Sequence, residues 1–121
     1  MPYRCAIVDD EPLAVELLSN YLGSIDRVEL IMTTDKLQGV EQLISENKVD
    51  LILLDVNLKG VKRDSINLLL RKKNCHFIIV TAYPLSYIKD ITIGPDHGYL
   101  AKPVSFTRFQ QEVKKILGIQ V

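Results

Sequence analysis

The stretch LILLD at residues 51–55 decides the fold, because four consecutive branched aliphatic residues end abruptly in a carboxylate. An apolar run of this kind is typical of a strand buried on both faces, near the centre of a parallel sheet covered by helices. Asp55 then lies where the strand leaves the sheet, and doubly wound folds bind ligands at the carboxyl ends of their strands. The sequence therefore indicates that Asp55 is a candidate reactive residue.

The composition predicts one ordinary domain, residues 1–121. Of the 121 residues, 47% are hydrophobic, which is enough to bury a substantial core. Fifteen basic and fifteen acidic residues give a formal net charge of zero, which argues against binding to nucleic acid or to an anionic membrane. Because neither a leader nor an apolar run of about 18 residues is present, we expect a soluble, cytoplasmic protein. Cys5 and Cys75 lack CxxC spacing, which favours buried free thiols.

Strand-like and helix-like segments alternate five times along the chain. Pro12 suits the first turn of a helix after the first strand, and Gly23 suits its end. Asp35 can cap the second helix, and Ser105 can cap a clearly amphipathic last helix. The predicted strands span residues 4–8, 28–32, 51–55, 76–80 and 99–101, and the predicted helices span residues 12–22, 35–46, 66–70, a segment from residue 84, and 105–117.

Two segments depart from the clear alternation. The residues VNLKGVKRDS at 56–65 mix charges and one glycine with few apolar residues, so we expect a loop before a modest third helix. A fourth helix is expected from near Pro84, carrying Ile88 and Ile91, although TIGPDHG at residues 92–98 interrupts it. Five strand–helix repeats imply parallel strands with right-handed crossovers, and hence a three-layer α/β sandwich.

Three carboxylates follow two of the predicted strands. If the first and third strands are neighbours, Asp9, Asp10 and Asp55 converge on one cleft, where they repel one another unless a cation compensates. Carboxylate oxygens are ligands that Mg²⁺ selects, and the ion would also screen an incoming phosphoryl group. Lys102 adds a second positive charge, and Thr81 offers a hydroxyl donor to a phosphoryl oxygen. We therefore interpret Asp55 as a nucleophile that accepts a phosphoryl group.

The same residues lie in motifs that resemble a known family. The segments VDDEP at residues 8–12, LLDVN at 53–57, TAY at 81–83 and YLAKP at 99–103 resemble the receiver domain of bacterial two-component response regulators. The resemblance spans essentially the whole chain. It implies a flavodoxin-like (CheY-like), doubly wound sheet of five parallel strands in the order 2-1-3-4-5, and a Lys102-Pro103 bond that is commonly cis.

Within that family, DDEPLA and TAY look most like regulators with a DNA-binding output domain of the LytTR (LytR/AlgR) type, which implies transcriptional regulation. The resemblance makes Asp55 the phosphoacceptor. Asp10 would be a direct Mg²⁺ ligand, and Asp9 a ligand or the holder of a metal-bound water. The backbone carbonyl of Asn57 would complete the metal site.

The resemblance also implies a phosphorylation switch. Lys102 and Thr81 would contact the phosphoryl group, Tyr99 would be the switch aromatic, and Asn57 and Tyr83 would tune the lifetime of the acyl phosphate. A sensor histidine kinase or phosphotransfer protein would donate the group. The surface formed by the fourth helix, fifth strand and fifth helix would then change and act on an output domain, a downstream protein or a second copy of the chain. Self-phosphorylation and hydrolysis of this kind is not enzymatic turnover on a free substrate.

Three alternatives stay open. The family usually carries Met-Pro after the phosphoacceptor, where this chain has Leu58-Lys59, so a receiver-like docking module that no longer switches remains a candidate. A small phosphatase with an aspartyl intermediate would place its nucleophile on a D-x-D strand end, which VDDEP does not offer. A flavodoxin-like flavin carrier shares the topology, but three acids at the cleft would repel a flavin phosphate.

Overall fold

The computed structural model describes residues 2–119, in which strands and helices alternate along the chain. The five strands are β1 (Tyr3–Val8), β2 (Val28–Thr34), β3 (Leu51–Leu54), β4 (His76–Thr81) and β5 (Gly98–Ala101). The helices are α1 (Pro12–Gly23), α2 (Leu37–Ser45), α3 (Arg63–Leu70) and α4 (Phe106–Leu117), with a 3₁₀ turn at Leu85–Tyr87. Within residues 2–119, no helix is long and apolar enough to span a membrane.

The strands form one parallel sheet in the order β2-β1-β3-β4-β5, which confirms the predicted doubly wound topology. β1 and β3 are direct neighbours, and Val8 pairs with Leu54 at their carboxyl ends. Asp9 directly follows Val8 and Asp55 directly follows Leu54, so the two acids lie side by side where the chain leaves the sheet. A crevice forms outside the carboxyl ends of β1 and β3, because β1 connects to β2 on one side of this pair and β3 connects to β4 on the other side.

The four aliphatic residues of β3 lie between two separate hydrophobic cores. Leu51 and Leu53 pack on the side covered by α1 and α4, whereas Ile52 and Leu54 pack on the side covered by α2 and α3. Each of the four side chains is at most 1% exposed, which confirms a strand buried on both faces. Burying each of them stabilises the fold by roughly 1.5–3 kcal/mol relative to exposure. Asp55 thus directly follows a strand whose side chains are all buried.

The prediction of a fourth α-helix between β4 and β5 is wrong. Between β4 and β5 the chain forms only the 3₁₀ turn Leu85–Tyr87, followed by irregular backbone. Ile88 and Ile91 are buried in the core cluster that contains the apolar residues of α3. Their apolar character therefore indicated burial and not helical structure. Pro84 has an extended ψ of 152°, and the later Gly94-Pro95 pair further disfavours a continuous helix.

A side chain of α3 satisfies backbone groups of this irregular segment. Asn67 Nδ2 donates to the carbonyl of Asp90 at 2.8 Å, and the Thr92 amide donates to Asn67 Oδ1 at 2.7 Å. These two hydrogen bonds replace part of what a helix would have formed internally. The surface predicted from a fourth helix, a fifth strand and a fifth helix is consequently made of the 3₁₀ turn, β5 and α4.

Of the four α-helices in the described residues, only α4 has a side-chain N-cap. Lys36, and not Asp35, precedes α2 as its N-cap, and its side chain makes no capping hydrogen bond. Ser105 accepts a hydrogen bond from the Arg108 amide and so caps α4 as predicted.

The Lys102-Pro103 bond is cis. The two cysteines are free thiols: one is buried in β1, and the other is half-buried before β4.

Candidate functional site

Three buried polar side chains stand at the carboxyl ends of neighbouring strands. Asp9, Asp55 and Thr81 are 4%, 5% and 0% exposed. The sheet ladder continues past the strand ends, because the Asp55 amide donates to the carbonyl of Val8 at 2.9 Å and the Lys102 amide donates to the carbonyl of Thr81 at the same distance. The backbone therefore holds Asp9, Asp55 and Thr81, as well as the Cα atom of Lys102, at one edge of the sheet.

The ammonium of Lys102 lies among three carboxylates. Its Nζ is 2.9 Å from Asp9 Oδ2, 2.6 Å from Glu11 Oε1 and 3.3 Å from Asp55 Oδ2. The Lys102 side chain is only 14% exposed. Lys102 directly follows β5, so the sheet brings a cation from one strand end to acids at two others, as the sequence predicted for Asp9 and Asp55.

The acids around Lys102 have the chemistry of a cation site. One carboxylate oxygen from each of Asp9, Glu11 and Asp55 lies within 4.8 Å of the others. Asp9 Oδ2 is buried, and within residues 2–119 it has no aligned hydrogen-bond donor, since its contact with Lys102 is an ion pair only. A buried carboxylate oxygen that lacks a hydrogen bond, grouped with other hard oxygen donors, fits a divalent cation such as Mg²⁺.

Asp10 is not one of the three acids in this group. Its Oδ2 accepts a hydrogen bond from the Lys59 amide at 3.0 Å, which ties the loop after β1 to the loop after β3. The predicted meeting of three acids is therefore seen for Asp9 and Asp55, with Glu11 in the third place. Glu11 was not among the site residues predicted from the sequence, although its position immediately before the helix-starting Pro12 placed it at the same edge of the sheet.

Burial and charge act in opposite directions on the two central groups. Burial raises the pKa of Asp55 above its ordinary value, although the Asn57 amide, 2.9 Å from Oδ1, and the charge of Lys102 partly oppose the shift. Burial by itself would lower the pKa of Lys102. The carboxylates of Glu11 and Asp9 outweigh that effect, so the pKa of Lys102 lies well above its ordinary value and the side chain stays charged.

A chain of hydrogen bonds links Asn57, two residues after Asp55, to β5. Asn57 Nδ2 donates to the hydroxyl of Tyr83 at 3.4 Å, and the Tyr83 amide donates to Thr81 Oγ1 at 3.3 Å. The hydroxyl of Tyr99, on β5, donates to the carbonyl of Tyr83 at 3.1 Å. The residues predicted to tune or to switch the site are thus in contact with one another, and Tyr83 connects them.

Comparisons with known proteins agree on one family. A family model described as the response regulator receiver domain matches residues 5–114. The chain is 35% identical over 109 residues to the transcriptional regulatory protein MalR of Bacillus subtilis (strain 168), covering 86% of this chain and 46% of MalR. It is 31% identical over 117 residues to the sensory transduction protein LytR of Staphylococcus epidermidis, covering 93% of this chain and 45% of LytR.

The fold has a counterpart among solved structures. The signal receiver domain of a modulated diguanylate cyclase from Desulfovibrio desulfuricans G20 superposes with a TM-score of 0.80 at 21% identity, covering 98% of this chain and 95% of that one. At this level of identity, the match supports the fold alone. The chain spans about half the length of the curated relatives it matches, 46% of MalR and 45% of LytR.

Proposed function

Since the chain belongs to the response regulator receiver domain family, we propose that Asp55 accepts a phosphoryl group from the phosphohistidine of a sensor histidine kinase or phosphotransfer protein. The observation that carries this proposal is the buried carboxylate of Asp55 at the end of the central strand, beside Asp9 and 3.3 Å from the Lys102 ammonium. An Asp55 oxygen attacks phosphorus while the P–N bond breaks. The imidazole nitrogen keeps the electron pair and takes up a proton, and a mixed anhydride remains on Asp55.

The residues around Asp55 have complementary tasks in this transfer. The Lys102 ammonium pairs with a phosphoryl oxygen, and the Thr81 hydroxyl donates a hydrogen bond to another. Asp9 and Asp55, with the backbone carbonyl of Asn57, would hold Mg²⁺, and Asp10 would join them by exchanging its hydrogen bond with the Lys59 amide for the ion; bound Mg²⁺ would neutralise charge on the phosphoryl oxygens. The fixed strand ends keep the acceptor oriented, so little reorganisation is needed at the moment of transfer. Transfer and later hydrolysis modify the protein itself, without turnover on a free substrate.

The phosphoryl group would act on the surface formed by the Leu85–Tyr87 turn, β5 and α4. The support for this step is the hydrogen bond from Tyr99 to the carbonyl of Tyr83, which joins β5 to the segment after Thr81. A shift of Thr81 toward the phosphoryl group would move that segment and release Tyr99. We infer that residues 1–121 form one cytoplasmic receiver domain, which controls a DNA-binding output domain of the LytTR type, a downstream protein or a homodimer.

The test is mass spectrometry after treatment with acetyl phosphate and Mg²⁺. The protein gains one phosphoryl group, and fragmentation locates it on Asp55. Asp55→Asn abolishes the gain, whereas the control Asp35→Asn, which removes an exposed acid after the neighbouring β2, leaves it intact. Undiminished labelling of Asp55→Asn, or an unlabelled wild-type protein, would overturn the proposal.

A docking module without switching is the second candidate, and the missing fourth helix favours it, because the output surface expected for a switching receiver includes that helix. The discriminating measurement is amide NMR with beryllofluoride and Mg²⁺, a mimic of the phosphorylated state. Shifts that extend from Thr81 to Tyr99 and α4 support switching. Shifts confined to Asp55 and its sequence neighbours, in a protein that is still labelled by acetyl phosphate, support the docking module.

A further inference from the structure

Glu11 makes the shortest contact to the Lys102 ammonium, although its own side chain is 62% exposed. It is the N-cap residue of α1, but its side chain makes no capping hydrogen bond. Within residues 2–119, the only hydrogen-bond partner of the Glu11 carboxylate is Lys102 Nζ at 2.6 Å. We propose that Glu11 is a positioning residue that restrains Lys102 in the resting protein and thereby slows phosphoryl transfer to Asp55, an inference that rests on the proposed function.

The restraint follows from the crowded surroundings of the Lys102 ammonium. Lys102 Nζ donates hydrogen bonds to Glu11 Oε1 and Asp55 Oδ2, and Asp9 Oδ2 lies 2.9 Å away as an ion pair. A phosphoryl oxygen that approaches the ammonium as closely must therefore displace one of three carboxylate oxygens. Asp9 and Asp55 are fixed at strand ends and buried, whereas Glu11 reaches the ammonium from the solvent side. Glu11 is therefore the partner that competes with an incoming phosphoryl group for Lys102.

The negative charge of Glu11 should slow phosphoryl transfer, as its contact with Lys102 does. A carboxylate at the mouth of the cleft repels an anionic phosphodonor, so removing the charge should speed transfer even without any effect on Lys102. Glu11→Asp separates the two causes, because it keeps the charge but shortens the side chain by one methylene. The Glu11 amide, which donates to Asp9 Oδ1 at 2.9 Å, is backbone and persists in either variant.

The experiment compares labelling rates by acetyl phosphate at saturating Mg²⁺. Glu11→Asp accelerates labelling by about threefold, the size expected for a partly exposed ion pair, and Glu11→Gln accelerates it by at least as much because it also removes the charge. Glu29→Gln, which removes an exposed charge near the amino end of β2, leaves the rate unchanged. A second readout needs neither donor nor cation: trace acetylation of lysines, quantified by mass spectrometry, shows Lys102 reacting about threefold faster in both Glu11 variants.

Each outcome decides the proposal. Acceleration in Glu11→Gln with wild-type behaviour of Glu11→Asp assigns the effect to long-range charge and overturns the restraint. Unchanged acetylation of Lys102 in both variants overturns it as well. If the wild-type protein is not labelled by acetyl phosphate, the proposed function fails. In that case, faster acetylation of Lys102 in both variants still establishes that Glu11 restrains it.

Discussion

Replacing Asn67 by alanine tests how the irregular segment between β4 and β5 is held. The substitution removes the two hydrogen bonds that Asn67 makes with the Asp90 carbonyl and the Thr92 amide, at 2.8 and 2.7 Å. A hydrogen bond of this kind contributes about 1 kcal/mol net, so together they stabilise the fold by about 2 kcal/mol. Alanine is a better helix former than asparagine by about 0.6 kcal/mol, which leaves a net destabilisation of about 1.4 kcal/mol.

The matched control is Asn20→Ala, because Asn20 is also inside a helix and is exposed. Within the described part of the chain its side chain makes no hydrogen bond, so this variant should gain the same 0.6 kcal/mol, approximately, in helix propensity. Urea unfolding then gives free energies of unfolding that differ between the two variants by about 2 kcal/mol. Hydrogen exchange of the Thr92 amide should accelerate in Asn67→Ala alone. Equal free energies for the two variants would refute the claim that Asn67 holds the segment.

Three further predictions concern the acid group. Because burial raises the pKa of Asp55, folding favours its protonated form, and stability is lost as the pH rises through the pKa of the folded state. Asp55→Asn should therefore raise the midpoint of urea unfolding at pH 7, and this gain should disappear near pH 3. Lys102→Met removes the ammonium that competes with a divalent ion, so calorimetry should show Mg²⁺ binding at least about tenfold tighter. If Asp10 ligates Mg²⁺, its hydrogen bond to the Lys59 amide must change, and NMR titration with Mg²⁺ should shift that amide but not the distant Lys89 amide.

The parts of the fold that the sequence could predict are those determined by local pattern. The run at residues 51–54 has no polar interruption, and that pattern favours a strand covered on both faces. Once β1 and β3 are placed side by side, the positions of Asp9 and Asp55 follow from chain connectivity. Thr81 and Lys102 follow in the same way from β4 and β5. These predictions needed no knowledge of side-chain contacts.

The parts that could not be predicted depend on contacts between residues far apart in the sequence. Asp10 turns toward the Lys59 amide, 49 residues away, and Glu11 turns toward Lys102, 91 residues away. Consecutive acids at the start of α1 carry no local signal that tells these two directions apart. The irregular segment is similar, since Asn67 lies 23 residues before the carbonyl that it holds.

The place of each charged group in the fold suggests how the site could be regulated without moving Asp55. Asp9 and Asp55 are attached to paired central strands whose side chains are almost fully buried, so their separation is fixed by the core. Lys102 and Glu11 meet beside them from positions outside the strands, and Asp10 contacts the Lys59 amide from the loop after β1. Because a change in partner among these three needs no repacking of the core, it costs far less than a shift of β1 or β3. Sensitivity to a cation or a phosphoryl group should therefore reside in the loop charges, and substitution of the exposed Glu11 should change rates and affinities while leaving the free energy of unfolding nearly unchanged.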